Sequence, residues 1–373
     1  MHITSLKNFK SESHNEMHQH LYDMIVFCHL RWDFVYQRPQ HIISRMAKQY
    51  KVLFIEEPWR RENEKESRLV KVSETLHVLQ PNVNSIAEIK CILPRYVNKG
   101  SNTIGWFYSP SFIPLIDYFD FSTIIYDCMD ELSLFKGAPK KLIEQEQYLV
   151  ANADLVFTGG KSLYESKVKL HKNVHCFPSS VDQFHFANAL NGIAIPADIA
   201  SIPSPLVGYF GVIDERIDLV LLDEIARRRP DVSFVMIGPL AKINEHDLPK
   251  SHNIHYLGMK DYKDLPAYLK AFDLAMMPFA LNDATKYISP TKTLEYMAAH
   301  KPIASTAITD VVRDYAHCVS IVHNAQEFEE AIDDALHATP DTFMKHEYDV
   351  ILEKTSWDNT VTSMQIHLKA AKH

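Results

Sequence analysis

The chain has no long apolar run, no paired cysteines and no excess of basic residues. Nowhere in its 373 residues does an apolar stretch approach the eighteen or so positions that a membrane-crossing helix needs. The first twenty residues are polar, with His2, His14, His18 and His20 but no apolar signal core. The expectation is a protein that is neither secreted nor membrane-spanning. Residues 1–20 read as a poorly ordered tail or, as the alternative, a metal-binding one. Five cysteines, Cys28, Cys91, Cys128, Cys176 and Cys318, are scattered without a C-x-x-C pair, which removes the common zinc and redox spacings and suits a reducing cytoplasm. A formal charge of −8 argues against a nucleic-acid partner, since such domains are usually strongly basic. There is no internal repeat and no low-complexity tract.

What is present is ample core material, 46% apolar residues, over a length that suggests two or three domains. Short β-branched or aromatic runs alternate with segments of helical period, the pattern of a parallel sheet with crossover helices. The first set of strands is expected at Met24 to Leu30, Val52 to Ile55, Ile104 to Tyr108, Thr123 to Asp127, Asp154 to Thr158 and Val174 to Phe177. A second set is expected at Leu206 to Phe210, Ser233 to Ile237, Ile254 to Leu257, Leu274 to Met277, Ile303 to Ser305 and Val319 to Val322. The fold class is therefore α/β, with two Rossmann-like, doubly wound domains. Their expected bounds are 21–190 and 206–355, with 191–205 as linker and 356–373 as a terminal helix.

The segment Ser289 to Ala304, SPTKTLEYMAAHKPIA, reads as a polar cap, a helix and a buried strand. Pro290 suits the first helical position, and the N–H groups of Thr291, Lys292 and Thr293 are free to meet an anion such as a diphosphate. Glu295 lies five residues on, about 7.5 Å along the axis at about 1.5 Å per residue, a span that suits a nucleotide's ribose. The competing reading is an amphipathic helix in which Leu294, Met297 and Ala298 pack inward and Glu295 is simply exposed.

Upstream, LVGYFGVIDERID (Leu206 to Asp218) is a strand feeding a glycine turn. Gly208 and Gly211 permit close backbone approach, and Arg216 can fork onto phosphate oxygens or, alternatively, pair with Asp214 or Asp218. In the first half, YDCMDEL (Tyr126 to Leu132) places Asp127, Asp130 and Glu131 at the end of a central strand, where open α/β sheets bind ligands. Asp130 is the first choice for orienting a substrate hydroxyl and Asp127 the second, against the reading that either merely ends a strand or caps the next turn. RWDFVYQRPQH (Arg31 to His41) has no glycine where phosphate-binding folds commonly place them. It offers Trp32, Asp33, Gln37, Arg38, Gln40 and His41 instead, groups able to stack on or hydrogen-bond a sugar. Gly159, Gly160 and Lys161 read as a plain turn or a further anion site. The basic stretch Lys161 to Lys172 reads as a solvated helix face or a contact with anionic lipid.

SPTKTLEYMAAHKPIAST resembles the C-terminal signature of family 4-type glycosyltransferases of the GT-B fold. WDFVYQRPQH, YDCMDEL, DLVFTGGKSLYESK and HCFPSSVD are similar to a bacterial branch that includes teichuronic acid biosynthesis glycosyltransferases. The resemblance, from about Ile25 to about Val322, implies an enzyme that moves a sugar from a nucleotide diphosphate to an acceptor hydroxyl with retention. No cofactor or metal is required, and no D-x-D pair is present to hold manganese. It implies that the terminal helix crosses back onto the N-terminal domain.

The resemblance also assigns roles. Gly211, Arg216, Ser289, Pro290, Thr291, Lys292 and Glu295 would hold the nucleotide diphosphate, with Arg216 and Lys292 stabilising the leaving group beside Asp130 and Asp127. Trp32, Gln37, Arg38 and His41 would meet the acceptor. Two departures stand out: Val212 occupies the place of an expected Arg and Tyr287 that of an expected Glu, leaving Tyr287 a donor-sugar contact without a carboxylate. The expected donor is a UDP-sugar, ahead of a GDP-sugar, and the expected acceptor a glycan or lipid-linked precursor. The expected setting is cytoplasmic, with peripheral contact at the inner membrane face. The rival readings are a nucleotide-sugar epimerase and a non-catalytic sugar- or nucleotide-binding module.

Overall fold

A computed structural model describes residues 21–61, 64, 66–97, 103–337 and 342–371; the expected tail, 1–20, lies outside them. Fully buried runs such as MIVFC and VLFIE make strands whose two faces are both covered, as parallel sheets require. The first sheet contains β1 (Met24–Cys28), β2 (Val52–Glu56), β3 (Arg68–Lys71), β4 (Leu76–Gln80), β5 (Thr103–Phe107), β6 (Phe121–Cys128), β7 (Leu155–Thr158) and β8 (Val174–Cys176), in the order β3-β4-β2-β1-β5-β6-β7-β8. The second contains β9 (Leu206–Phe210), β10 (Ser233–Ile237), β11 (Ile254–Gly258), β12 (Leu274–Met277), β13 (Ile303–Thr306) and β14 (Ser320–Val322), in the order β11-β10-β9-β12-β13-β14. All pairings are parallel except β3 with β4.

Strands β3 and β4 are absent from the sequence reading. For β3 the reason is physical: it is an edge strand, exposed at Arg68 and Lys71 and only half-buried between them, so it lacks the apolar continuity that marks buried strands. Strand β4, buried from Leu76 to Leu79, is a short run broken by His77. The stretch 191–205 also differs from a bare linker. It contains a short helix, Ala197–Ala200, whose Ile199 is fully buried in the second core, where Val181, Phe186 and Ala189 are already packed. The chain thus joins the second core before residue 190.

Near its end the chain returns. Tyr348 and Leu352 pack in the second core, whereas Trp357, Val361, Met364 and Leu368 pack against Met24, Ile42 and Met46 beneath the first sheet. Helix Trp357–Ala371 therefore crosses back as expected and ties the halves together. A second tie lies at the helix Lys161–Lys167, where buried Asp310 accepts the Ser162 N–H at 3.2 Å and the Ser162 hydroxyl. Gly160 makes this approach possible, since a Cβ there would sit 2.7 Å from the Asp310 carboxylate and 3.1 Å from Ser289 Cβ. The Gly159–Lys161 turn is thus a seam between the halves. The helix's N-terminus receives an anion, but one supplied by the protein itself. Among the described residues no helix is long and apolar enough to cross a membrane.

Candidate functional site in the cleft between the two sheets

The carboxyl ends of both sheets open onto one cleft, lined from the first half by Gln37, Arg38, Asp130 and Gly159 and from the second by Gly211, Arg216, Ser289 to Lys292 and Glu295. The second half builds its wall from two βα turns in contact. Gly211 and Gly238 have φ of 146° and 150°, and a Cβ on Gly238 would fall 1.7 Å from the Gly211 carbonyl oxygen. Only glycine allows that approach. A Cβ on Gly211 would likewise strike Lys292 Cε at 2.3 Å, so the missing side chain is the space the lysine occupies.

Helix Thr291–Ala298 begins one residue later than expected, with Pro290 as its N-cap. Its exposed N–H end therefore still points at the cleft. Lys292 reaches over the Tyr209 ring, 5.6 Å from its centroid, and makes no ion pair among the described residues. Burial lowers its pKa, with the charge of Glu295 opposing. Glu295 is not the exposed residue of a simple amphipathic helix, being 7% accessible. Burial pushes its carboxyl up to about 7, against the pull of Lys292 and a hydrogen bond from Thr291. A lysine and a carboxylate three residues apart thus share one helix face without neutralising each other by contact.

Arg216 lines the same wall, yet its guanidinium is engaged: Nη2 lies 2.7 Å from Asp214 Oδ2 and Nε 3.0 Å from Oδ1. The pairing with Asp214, not Asp218, is what forms; Asp218 instead caps the helix Leu219–Arg228 through the Leu221 N–H. Val212, in the place of a second arginine, turns its carbonyl to the Tyr209 hydroxyl at 3.0 Å.

In the first half the expected residues divide. Asp130 lines the cleft, and enclosure pushes its carboxyl up to about 6, with Arg216 across the cleft pulling the other way. Asp127 does not line it. Fully buried, its Oδ1 accepts from Arg38 Nε at 3.1 Å and Nη2 at 2.9 Å, and Arg38 Nη1 donates to the Phe177 carbonyl at 2.7 Å. Arg38 borders the cleft but its charge is already taken. Glu131 is tied to buried Lys167 at 2.8 Å, which also holds Glu146 at 2.8 Å. Gln37 remains on the cleft rim as the N-cap of helix Arg38–Met46.

Trp32 and His41 lie elsewhere. The Trp32 N–H donates to Glu56 at 2.8 Å and its ring packs edge-on against Phe54. His41 is buried and stacked on Trp357, with centroids 4.8 Å apart. Both serve packing because the terminal helix and the end of β2 claim them. Tyr287 also leaves the cleft: its ring packs against the first half's core and under the Lys286 ammonium. Conversely, Tyr262, at the mouth of the loop after β11, lines the cleft and was passed over. The rule that ligands meet the carboxyl ends of strands pointed to it as much as to Asp130.

Comparison with known proteins agrees with this architecture. Residues 204–338 match the family model described as "Glycosyl transferases group 1". A Bacillus subtilis (strain 168) protein provisionally named a teichuronic acid biosynthesis glycosyltransferase, TuaH, is 25% identical over 224 residues, 56% of this chain and 56% of that protein. The chain therefore spans about half the length of the curated relative it matches. A sucrose-phosphate synthase from Thermosynechococcus elongatus superposes with a TM-score of 0.67 at 14% identity, covering 93% of this chain and 98% of that one. Anabaena HepE in complex with UDP and glucose superposes at 0.64, also 14% identical, covering 93% and 99%. The chain has the GT-B fold, and its residues 204–338 resemble the group 1 glycosyl transferases. In this GT-B frame the matched segment carries the entire glycine, lysine and glutamate wall of the cleft.

Proposed function

We propose that this GT-B protein transfers a sugar from a nucleotide diphosphate to a hydroxyl of a glycan or lipid-linked cell-envelope precursor, with retention and without a required metal. The observation that carries the reading is the pairing of Lys292 and Glu295 on one buried helix face, opposite two glycine turns in contact. A diphosphate supplies the counter-charge Lys292 lacks, and ribose hydroxyls supply further donors to the Glu295 carboxylate beside Thr291. UDP is the favoured nucleotide, since HepE superposes in complex with UDP and glucose.

In the transfer, the bond from the anomeric carbon to the β-phosphate oxygen breaks as a bond to the acceptor oxygen forms, and the departing phosphate takes the acceptor's proton. Lys292 and the N–H groups at the start of helix Thr291–Ala298 stabilise the charge on that phosphate, preorganised in a water-poor wall. Arg216 adds a charge shared with Asp214. Asp130, facing Arg216 across the cleft, orients the acceptor hydroxyl, with Gln37 on the rim. The protein then works in the cytoplasm, meeting a lipid-linked acceptor at the inner membrane face. The test is incubation with UDP-glucose and related UDP-sugars, with and without a glycan acceptor. Acceptor-dependent UDP release supports the reading, whereas an epimerised donor formed without acceptor, or tight binding with no turnover, overturns it.

A further inference from the structure

Buried tyrosine hydroxyls in this chain are, as a rule, engaged: Tyr126 donates to Glu146, Tyr209 to the Val212 carbonyl and Tyr268 to Asp198. Among the described residues two buried tyrosine hydroxyls have no hydrogen-bond partner, those of Tyr108 and Tyr262. Tyr108 lies beside the Asp127 carboxylate, inside the first half's core. Tyr262 lines the cleft, on the same wall as Glu295. An unpartnered buried hydroxyl in a folded protein is uncommon and costs about 1–3 kcal/mol, so its persistence calls for a partner that arrives with a ligand.

The Tyr262 ring cannot turn away to find one. It stacks on His185 with centroids 4.4 Å apart and 13° between planes, packs on Tyr36 at 4.7 Å, and meets Phe186 edge-on at 5.6 Å. Its backbone carbonyl is held by His185 Nε2 at 2.9 Å. The hydroxyl is therefore a preorganised donor. Among the charges around it, that of Glu295 bears most strongly on the phenol.

We infer that the Tyr262 hydroxyl reads the nucleotide's sugar, donating to a ribose hydroxyl that itself donates to Glu295. The inference rests on the nucleotide-site reading above. A ribose hydroxyl that gives its proton to a carboxylate keeps lone pairs on its oxygen, and Glu295, an acceptor, cannot use them. A phenol can. The pair makes the site specific for ribonucleotides, because a deoxy analogue leaves both protein groups unpaired in a buried place.

The decisive experiment measures dissociation constants of UDP, 2′-deoxy-UDP and 3′-deoxy-UDP for wild type, Tyr262→Phe and Glu295→Gln. Phenylalanine keeps the stacked ring and removes only the hydroxyl. The expected result is that Tyr262→Phe weakens UDP by about 5- to 20-fold and leaves the affinity for one of the two deoxy analogues unchanged. An unchanged UDP affinity in Tyr262→Phe, or an equal loss for all three ligands, overturns the inference. If Glu295→Gln still weakens UDP in that case, the nucleotide site stands and only the role of Tyr262 falls. If wild type binds none of UDP, GDP and ADP, the nucleotide-site reading falls and takes the inference with it.

Discussion

The two sheets turn the same edge to the same cleft, yet they furnish it by different means. In the second half the wall is largely backbone: two glycine turns in contact, the end of helix Thr291–Ala298, and one ammonium and one carboxylate that form no ion pair among the described residues. In the first half the strand ends carry many charges, and most are consumed by each other. Asp127 holds Arg38, Glu131 and Glu146 hold Lys167, and Glu56 holds Arg31 at 3.1 Å. Asp127 and Asp130, three residues apart, mark the contrast most sharply, one sealed in an ion pair and the other open to the cleft. A wall that grips a charged ligand must leave its own charges unspent, whereas a wall that shapes loops needs them paired, because a buried charge without a partner is expensive.

Substitutions can break that contrast. The largest effect on turnover is expected from Lys292→Ala, which should lower kcat for sugar transfer by about 100- to 1000-fold, near the cost of removing a preorganised charge-stabilising donor. Arg216→Ala should fall short of it, at about 100-fold, because Asp214 already shares that charge; a larger loss than in Lys292→Ala would reverse the ranking. Steady-state kinetics decides between them.

The aspartate pair separates stability from turnover. Asp127→Asn strands the buried Arg38 guanidinium and should lower the unfolding midpoint by about 5–10 °C in a thermal melt. Asp130→Asn should leave the melt and UDP affinity near wild type while lowering kcat by about 100-fold. Because the Asp130 carboxyl titrates near 6, wild-type kcat should fall as pH drops through that value, and Asp130→Asn should lack the step. If the two variants behave alike, the division of the first half into structural and cleft-facing acids is wrong.

A smaller effect is expected at Glu295. Its carboxyl pKa is raised on folding from 4.5 to about 7, so the folded state loses stability as pH climbs from about 4.5 to about 7, and the full penalty holds above that. In the nucleotide-free protein Glu295→Gln should melt about 2–4 °C above wild type at pH 8, and the difference should close towards pH 5. A variant that melts lower at pH 8 would show that Glu295 is a structural residue. The smallest change is expected from Lys161→Ala, since Lys161 is half-exposed and paired with Asp314. Stability should move by less than about 1 kcal/mol and UDP affinity not at all; a loss of affinity would restore the anion-site reading of the Gly159–Lys161 turn.

Much of this architecture is legible along the chain. Continuous apolar runs mark the buried parallel strands, a period of 3.6 marks the helices between them, and Ser289 to Glu295 hold their relation wherever the helix is placed, because spacing along one helix is a local property. Strand β3 was not legible, since an exposed edge strand carries little apolar signal; β4 is buried from Leu76 to Leu79, but its short run, broken by His77, does not stand out along the chain. Nor was the sorting of the first half's polar residues. Trp32, His41, Asp127 and Asp130 share the composition of a sugar site, and nothing local tells which of them a distant element will claim. Helix Trp357–Ala371 takes His41, Glu56 takes the Trp32 backbone and Arg38 takes Asp127. The sequence by itself determined two doubly wound sheets and one helix end fit for an anion, because these arise from neighbours along the chain. Only the tertiary structure decided which side chains stay free for a ligand, because a charge or a hydroxyl is free only when no residue from elsewhere in the chain has been packed against it.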